Sequence, residues 1–67
     1  MNKGALESKM KLYGDNQERL SQALGLTRSR LNAKINSRNA SFTQQEISII
    51  KARYNLSASE VDNIFFN

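Results

Sequence analysis

The clearest pattern of apolar and polar positions lies in residues 16–36, where two short helical patterns meet at a glycine. Leu20, Ala23 and Leu24 stand at positions i, i+3 and i+4, which predicts a helix with one narrow apolar stripe. Gly25 follows directly, and a residue without a Cβ can adopt the left-handed conformation that ends a helix. The pattern therefore predicts that a second helix begins almost at once.

This second helix carries its own start signal. Thr27 is a favourable N-cap, and Leu26 and Leu31 occupy the N′ and N4 positions of a hydrophobic staple. We therefore expect the helix to begin at Arg28. Two helices joined by so short a turn form a helix-turn-helix unit, which we predict over residues 16–36.

The polar face of the second helix indicates a function. Arg28 and Arg30 stand in its first turn, where the helix dipole disfavours cations by roughly 0.3–1 kcal/mol each, a penalty that nearby phosphates would reverse. Leu31 and Ile35 form the expected buried edge. Beside that edge we predict an exposed arc of Arg28, Ser29, Asn32, Ala33 and Asn36, with Arg30 and Lys34 on the opposite flank. Guanidinium, hydroxyl, amide and methyl groups are those that read base edges in a major groove.

Before this unit, Leu6, Met10 and Tyr13 recur at i, i+4 and i+7. They predict an amphipathic first helix that follows a frayed start at residues 1–3 and ends near Gly14.

The sequence leaves the N-cap of the next helix open, because Asp15 and Asn16 are both competent and Asp15 would place Glu18 at N3. Gln17 lies in the first turn in either case, where N–H donors can approach a phosphate. An exposed glutamine with no such role is an equally good interpretation of that position.

After the second helix comes the polar segment NSRNAS, residues 36–41, which we predict to be a loop. Arg38 and the loop amides are candidates for contact with a DNA backbone, although a solvated connector would have the same composition.

Two further helices are predicted by repeated start signals. Phe42, Thr43, Glu46 and Ile47 combine a staple with a capping box, and Leu56, Ser57, Glu60 and Val61 repeat that combination. We expect helices over residues 43–55 and 57–66, the first with a core face of Ile47, Ile50 and Tyr54.

The C-terminal segment is rich in large apolar side chains. One small core cannot easily bury Ile64, Phe65 and Phe66 together, so we predict that they form a dimer interface. The alternative is that Ile64 and one phenylalanine close the protein's own core.

Composition limits the functional classes. The 67 residues fit one domain, spanning 1–67, and a chain this short buries only about 60% of its unfolded surface. The absence of Cys and His excludes disulfides, thiolate or imidazole metal sites and catalysis by either residue type. We expect no cofactor, no metal, no small-molecule substrate and no membrane association, and a cytoplasmic location.

The distribution of charge favours a polyanionic partner. The net charge is +4, and the stretch from Arg19 to Gln45 holds five basic residues and no acidic one. An ordinary basic surface would account equally well for the net charge alone.

The run Gln17-Glu18-Arg19-Leu20-Ser21-Gln22-Ala23-Leu24-Gly25-Leu26-Thr27-Arg28-Ser29-Arg30-Leu31 resembles the helix-turn-helix of the lambda repressor and Cro family. The later helices are similar to those of small Cro-like phage regulators. The resemblance implies a compact, all-α, five-helix domain that binds an operator as a homodimer, at least on DNA, with the third helix in the major groove. It implies base contacts by Arg28, Ser29, Asn32 and Ala33. Expected phosphate contacts are Gln17 and Asn36, completed by Asn16, Arg30, Lys34 and Arg38.

Two positions depart from the family pattern. The family often has an apolar core residue three positions after Leu31, where this chain has Lys34, and the apolar residue is displaced to Ile35. The rotation of the end of the recognition helix is therefore open, and with it whether Asn32 or Ala33 makes the deeper contact. The small alanine usual in helix 2 is replaced by Ser21.

The sequence thus predicts a transcriptional regulator that binds double-stranded DNA, in the manner of a repressor. The alternative is an interaction module of the same fold, such as an antirepressor or antitoxin, that uses the basic face or the Phe65–Phe66 end. An enzyme is not expected, because the carboxylates stand mostly at helix starts and no nucleophile–base pair is visible. The aromatic residues at core spacings offer no stacking platform for RNA.

Overall fold

Each helix of the protein starts directly after a polar residue that precedes an apolar pattern in the sequence. A computed structural model describes residues 1–36 and 41–66, and these residues form five α-helices and no strand. The helices are α1 (Lys3–Leu12), α2 (Gln17–Leu24), α3 (Arg28–Ile35), α4 (Gln44–Arg53) and α5 (Ala58–Phe65). The prediction of an all-α architecture is confirmed. None of these helices is long and apolar enough to cross a bilayer.

Each helix begins where a side-chain oxygen accepts a hydrogen bond from a backbone N–H of the first turn, which would otherwise lack a partner. The five caps are Asn2, Asn16, Thr27, Thr43 and Ser57. Both predicted capping boxes form, with Glu46 and Glu60 returning a hydrogen bond to the cap backbone. The open choice at the start of α2 is decided for Asn16, whose Oδ1 accepts from the Arg19 N–H at 2.8 Å.

The expected frayed start at residues 1–3 is wrong. The Asn2 side chain caps α1, and its own N–H donates to the Ile64 carbonyl in α5 at 2.7 Å. Met1 packs against the core. The N-terminus is therefore joined to the last helix, and the first residue of α1, Lys3, has a defined position.

Left-handed residues follow three of the described helices: Gly14 after α1, Gly25 after α2 and Asn55 after α4. Gly25 has φ 70°, its N–H donates to the Gln22 carbonyl, and the Leu26 N–H donates to the Ser21 carbonyl at 2.9 Å. This pair of bonds is a Schellman motif, and it turns the chain sharply from α2 into α3. Asn55, at φ 49°, follows α4 in the same conformation, which asparagine tolerates better than most residues with a Cβ.

One hydrophobic core joins the helices. Its buried members are Leu6, Met10, Leu20, Leu31, Ile35, Ile50, Tyr54, Leu56 and Ile64. Three predicted core residues lie outside it, one of them Ile47, which is only partly buried. Ala23 is exposed, and Tyr13 is 49% exposed with its ring 5.6 Å from that of Tyr54. Ala23 and Tyr13 lie near helix ends, where an apolar stripe extrapolated along a short helix no longer faces the core.

Asp15 ties the junction of α1 and α2 to the end of α4. Its carboxylate accepts from Arg53 Nε at 2.7 Å, from a terminal Arg53 nitrogen at 3.1 Å and from the Tyr54 hydroxyl at 2.6 Å. The hydrogen bond from Arg53 is the main reason why the pKa of Asp15 is lowered from 3.8 to about 2. Burial, followed by the Asp15 contact, raises the pKa of Tyr54.

We predict that Asp15→Asn lowers the free energy of unfolding at neutral pH by at most about 2 kcal/mol. Because the folded pKa of Asp15 is depressed, its stabilisation is complete above about pH 4 and is lost as the pH falls towards 2. The variant should therefore lose part of the acid-induced decline in stability, with Glu46 and Glu60, whose pKa values are also lowered, supplying the remainder. Urea unfolding between pH 2 and 7 measures this. The control is Asp62→Asn, at an exposed site; equal pH profiles for the two variants would contradict the role of Asp15.

Candidate nucleic-acid interface

Helix α3 buries a single edge. Leu31 and Ile35 are 0% and 1% exposed, as predicted, and pin the helix to the core. On the outward side Arg28, Ser29, Arg30 and Asn32 are exposed, whereas Ala33 and Asn36 are partly buried. Asn32 therefore reaches further outward than Ala33. The outer surface of α3 is polar and accessible along most of its length.

Helix α2 packs closely against α3 and sets its orientation. Ser21 of α2 is 3% exposed, and its hydroxyl donates to the Glu18 carbonyl at 2.7 Å. A buried hydroxyl with a partner costs little, so this serine leaves no polar group unsatisfied.

The outer surfaces of α2 and α3 meet in one shallow concavity of about 210 Å³. Its lining residues are Gln17, Arg28, Ser29 and Asn32. All four were predicted as contact residues from the sequence, three as base contacts and Gln17 as a phosphate contact. The structure thus brings together side chains from two helices around a single place where a ligand can lie.

The two arginines in the first turn of α3 keep their charge available. Among the described residues the ion pairs are Lys9–Glu60, Lys34–Glu46 and Arg53–Asp15, so no described carboxylate pairs with Arg28 or Arg30. The backbone N–H of Arg30 is capped by Thr27 Oγ1 at 3.2 Å. Two cations stand at the positive end of a helix without a neutralising partner, which is unfavourable unless an anion binds nearby.

Lys34 does not lie on an exposed flank, and the prediction that it contacts phosphate is wrong in this respect. The residue is 8% exposed. Its Nζ donates to Glu46 Oε1 at 2.8 Å and to the Ser41 carbonyl at 3.0 Å, and lies 5.9 Å from the centre of the Phe42 ring. The side chain turns inward because Glu46, at the start of α4, supplies a counter-ion there.

The Glu46 carboxylate accepts hydrogen bonds from two residues, Lys34 and Thr43. Burial alone would raise the pKa of its carboxyl, but the hydrogen bonds from Lys34 and Thr43 outweigh it, and the pKa is lowered. The ion pair fills the inward position 34, and Ile35 is buried as well. A lysine is therefore accommodated at the interface between α3 and α4.

Asn36 and Asn16 hold structural hydrogen bonds in addition to their predicted phosphate roles. Asn36 Oδ1 accepts from Lys3 Nζ at 2.8 Å, and Asn36 Nδ2 donates to the carbonyl and to Oδ1 of Asn32 at 2.9 and 2.7 Å. Sequence reasoning missed Lys3, because a contact across 33 positions leaves no periodic signal. Asn16 is the exposed cap of α2. Arg38, the remaining phosphate candidate, lies outside the described residues.

The predicted dimer surface is only partly exposed. Ile64 is 1% exposed and belongs to the core, so the prediction that it forms a dimer contact is wrong; the chain's own core takes it. Phe65 is partly buried, with its ring edge-on to Phe42 at a centroid distance of 5.5 Å. Phe66 is 68% exposed. It borders a concavity of about 360 Å³ that Phe42, Ile47 and Phe65 also line.

The geometry of the interface is the basis for assigning it a function. No family model, curated protein or solved structure matches the chain. Within residues 1–36 and 41–66 no cluster of acidic side chains is placed to hold a metal ion.

We predict that Lys34→Met lowers the free energy of unfolding by about 3 kcal/mol, because it leaves the Glu46 carboxylate without its counter-ion at a site where that side chain is 11% exposed. Adding Glu46→Gln should recover most of this loss, since glutamine also completes a capping box. Urea denaturation of the single and double variants measures both effects. A Lys34→Met protein within about 0.5 kcal/mol of the original would show that the ion pair contributes little.

Proposed function

We propose that this protein is a sequence-specific regulator that binds double-stranded DNA, a Cro-like repressor with a lambda-repressor-like fold, and that α3 enters the major groove. The observation that carries the proposal is the concavity where Gln17 of α2 meets Arg28, Ser29 and Asn32 of α3. The three α3 residues of this set offer guanidinium, hydroxyl and amide groups on one helix, and such groups are suited to contacts with base edges.

The dimensions support this placement. A helix with side chains is about 10–12 Å across, and the major groove of B-DNA is about 12 Å wide. The eight residues of α3 extend over roughly 12 Å. Arg28, in the first turn, is suited to bidentate contact with guanine, while Gln17 at the start of α2 directs donors towards the backbone.

Charge supports the same face. Lys34 is neutralised by Glu46, so attraction to DNA depends on cations such as Arg28 and Arg30, which have no described acidic partner. Each phosphate neutralised by such a cation releases counterions and adds salt-dependent affinity. The expected phosphate contacts on this face are Asn16, Gln17, Arg30, Asn36 and Arg38.

We further propose that the protein binds its operator as a two-fold dimer through the Phe66 end. An isologous interface requires a surface patch that is complementary to itself. Phe66 is an exposed aromatic ring at the border of an apolar concavity, so two copies can each place this ring against the other's Phe42, Ile47 and Phe65.

Selection of bound sites from random duplex DNA tests the function. The proposal expects enrichment of a palindrome with two half-sites about one helical turn apart. Recovery of no common sequence, from a protein shown to be folded, would overturn the proposal and favour an interaction module that binds another protein.

On the selected site, Arg28→Ala should cost about 1–3 kcal/mol and relax the preference at one base pair. Arg28→Lys keeps the charge but not the planar fork, so it should lose the preference while still binding unrelated DNA. Arg30→Ala should weaken all sequences alike. Fluorescence anisotropy against matched and mismatched duplexes measures these effects.

The control for lost charge is Lys51→Ala, an exposed lysine on α4 that should change affinity only slightly. If Arg28→Ala altered neither affinity nor preference beyond this control, the assignment of α3 as the recognition helix would be refuted.

The dimer proposal predicts that Phe66→Ser reduces the number of protomers bound to a palindromic duplex from two to one at micromolar concentration. Leu12→Ser is the matched control, because Leu12 is an equally exposed apolar side chain, 73% exposed, on α1. Sedimentation of the free proteins and of their DNA complexes measures the stoichiometry. A single protomer in both states of the unsubstituted protein would refute the dimer.

A further inference from the structure

Three side chains form a continuous hydrogen-bonded relay from the first residue of α1 to the outer face of α3. Lys3 Nζ donates to Asn36 Oδ1 at 2.8 Å. Asn36 Nδ2 then donates to the Asn32 backbone carbonyl at 2.9 Å and to Asn32 Oδ1 at 2.7 Å. The relay therefore ends on a side chain that lines the candidate interface.

The direction of this relay follows from the chemistry of its ends. A lysine ammonium can only donate, and a backbone carbonyl can only accept. The Asn36 amide must therefore turn its oxygen towards Lys3 and its nitrogen towards Asn32. Because that nitrogen donates, the Asn32 atom facing it must be the oxygen. Lys3 and the Asn32 carbonyl together determine the amide orientation of Asn36, and through it that of Asn32.

Backbone hydrogen bonds hold the first two members of the relay in place. Lys3 directly follows Asn2, whose side chain caps α1 and whose N–H donates to the Ile64 carbonyl at 2.7 Å. Asn36 ends α3, and its own N–H donates to the Asn32 carbonyl at 3.0 Å. These backbone contacts therefore fix the positions of Lys3 and Asn36 relative to each other.

We propose that Lys3 and Asn36 are positioning residues that make Asn32 a hydrogen-bond donor towards its base pair. Asn36 occupies one of the two acceptor positions of the Asn32 oxygen and holds that oxygen on its own side, so Asn32 presents Nδ2, for which the described residues supply no acceptor. An unrestrained asparagine reads adenine bidentately, accepting from N6 and donating to N7. An asparagine held with its nitrogen outward favours an edge rich in acceptors, and guanine, with O6 and N7, is the base that offers two.

This inference rests on the proposed function and specifies which base the site reads. In selected sites the base pair facing Asn32 should carry guanine, preferred over adenine by at least about fivefold. Lys3→Met removes one of the two groups that fix the Asn36 amide, so the preference of guanine over adenine should fall. Lys11→Met, which removes one charge from an exposed position of the same helix, should weaken binding while keeping the preference.

A second variant tests the direction of the contact. Asn32→Asp retains an oxygen for the Asn36 hydrogen bond and replaces the outward donor with an acceptor. The added negative charge should weaken binding to every sequence, but the preferred base at this pair should change from guanine to cytosine, which offers a donor at N4.

A measurement without DNA tests the hydrogen-bonded relay independently of the proposed function. In ¹H–¹⁵N spectra, Lys3→Met should shift the side-chain amide signals of both Asn32 and Asn36, and Lys11→Met should not. Unshifted signals in Lys3→Met would overturn the relay. A selected site whose facing base is insensitive to Lys3→Met would overturn the inference and leave the proposed function standing. No selected site at all would overturn the proposed function and the inference with it.

Discussion

The structure depends on the limited burial of α3. A helix of eight residues that turns Leu31, Lys34 and Ile35 inward has little surface left with which to contact its own chain. Apart from the partly buried Ala33, the remaining side chains of α3 are exposed, and they are polar or charged. The interface is therefore a consequence of packing: the same three inward positions that hold the helix also determine which of its residues can reach a ligand.

The Lys34–Glu46 ion pair connects this helix to the next. Glu46 is the N3 residue of the capping box on α4 and also the counter-ion of Lys34, so one carboxylate joins the end of α3 to the start of α4. A buried ion pair of this kind adds little net stability relative to apolar side chains, but removing one partner is costly. Its contribution here is directional, because the hydrogen bonds allow fewer relative orientations of the two helices than an apolar contact would.

Local interactions made most helix boundaries predictable. Thr27, Thr43 and Ser57 are recognisable as caps because each bonds to an N–H only three residues ahead. The left-handed turn at Gly25 and the buried positions Leu31 and Ile35 follow from similarly local rules. The outward cluster on α3 was predictable for the same reason, since periodicity along one helix determines which side chains share a face.

Contacts between distant parts of the chain account for what sequence reasoning missed. Asp15 has the pattern of a cap, yet it bonds to Arg53 and Tyr54 nearly forty positions later. Lys34 has the pattern of an exposed cation until Glu46 is placed beside it. Such partners become known only when the helices are assembled, because helical periodicity describes one element at a time.

The most direct test of the account is to map the DNA contact residue by residue, by recording ¹H–¹⁵N spectra during titration with a selected duplex at physiological salt. The account predicts the largest shifts at Gln17, Arg28, Ser29 and Asn32. Shifts confined to the surface around Phe66, with the amides of α3 unchanged, would contradict it.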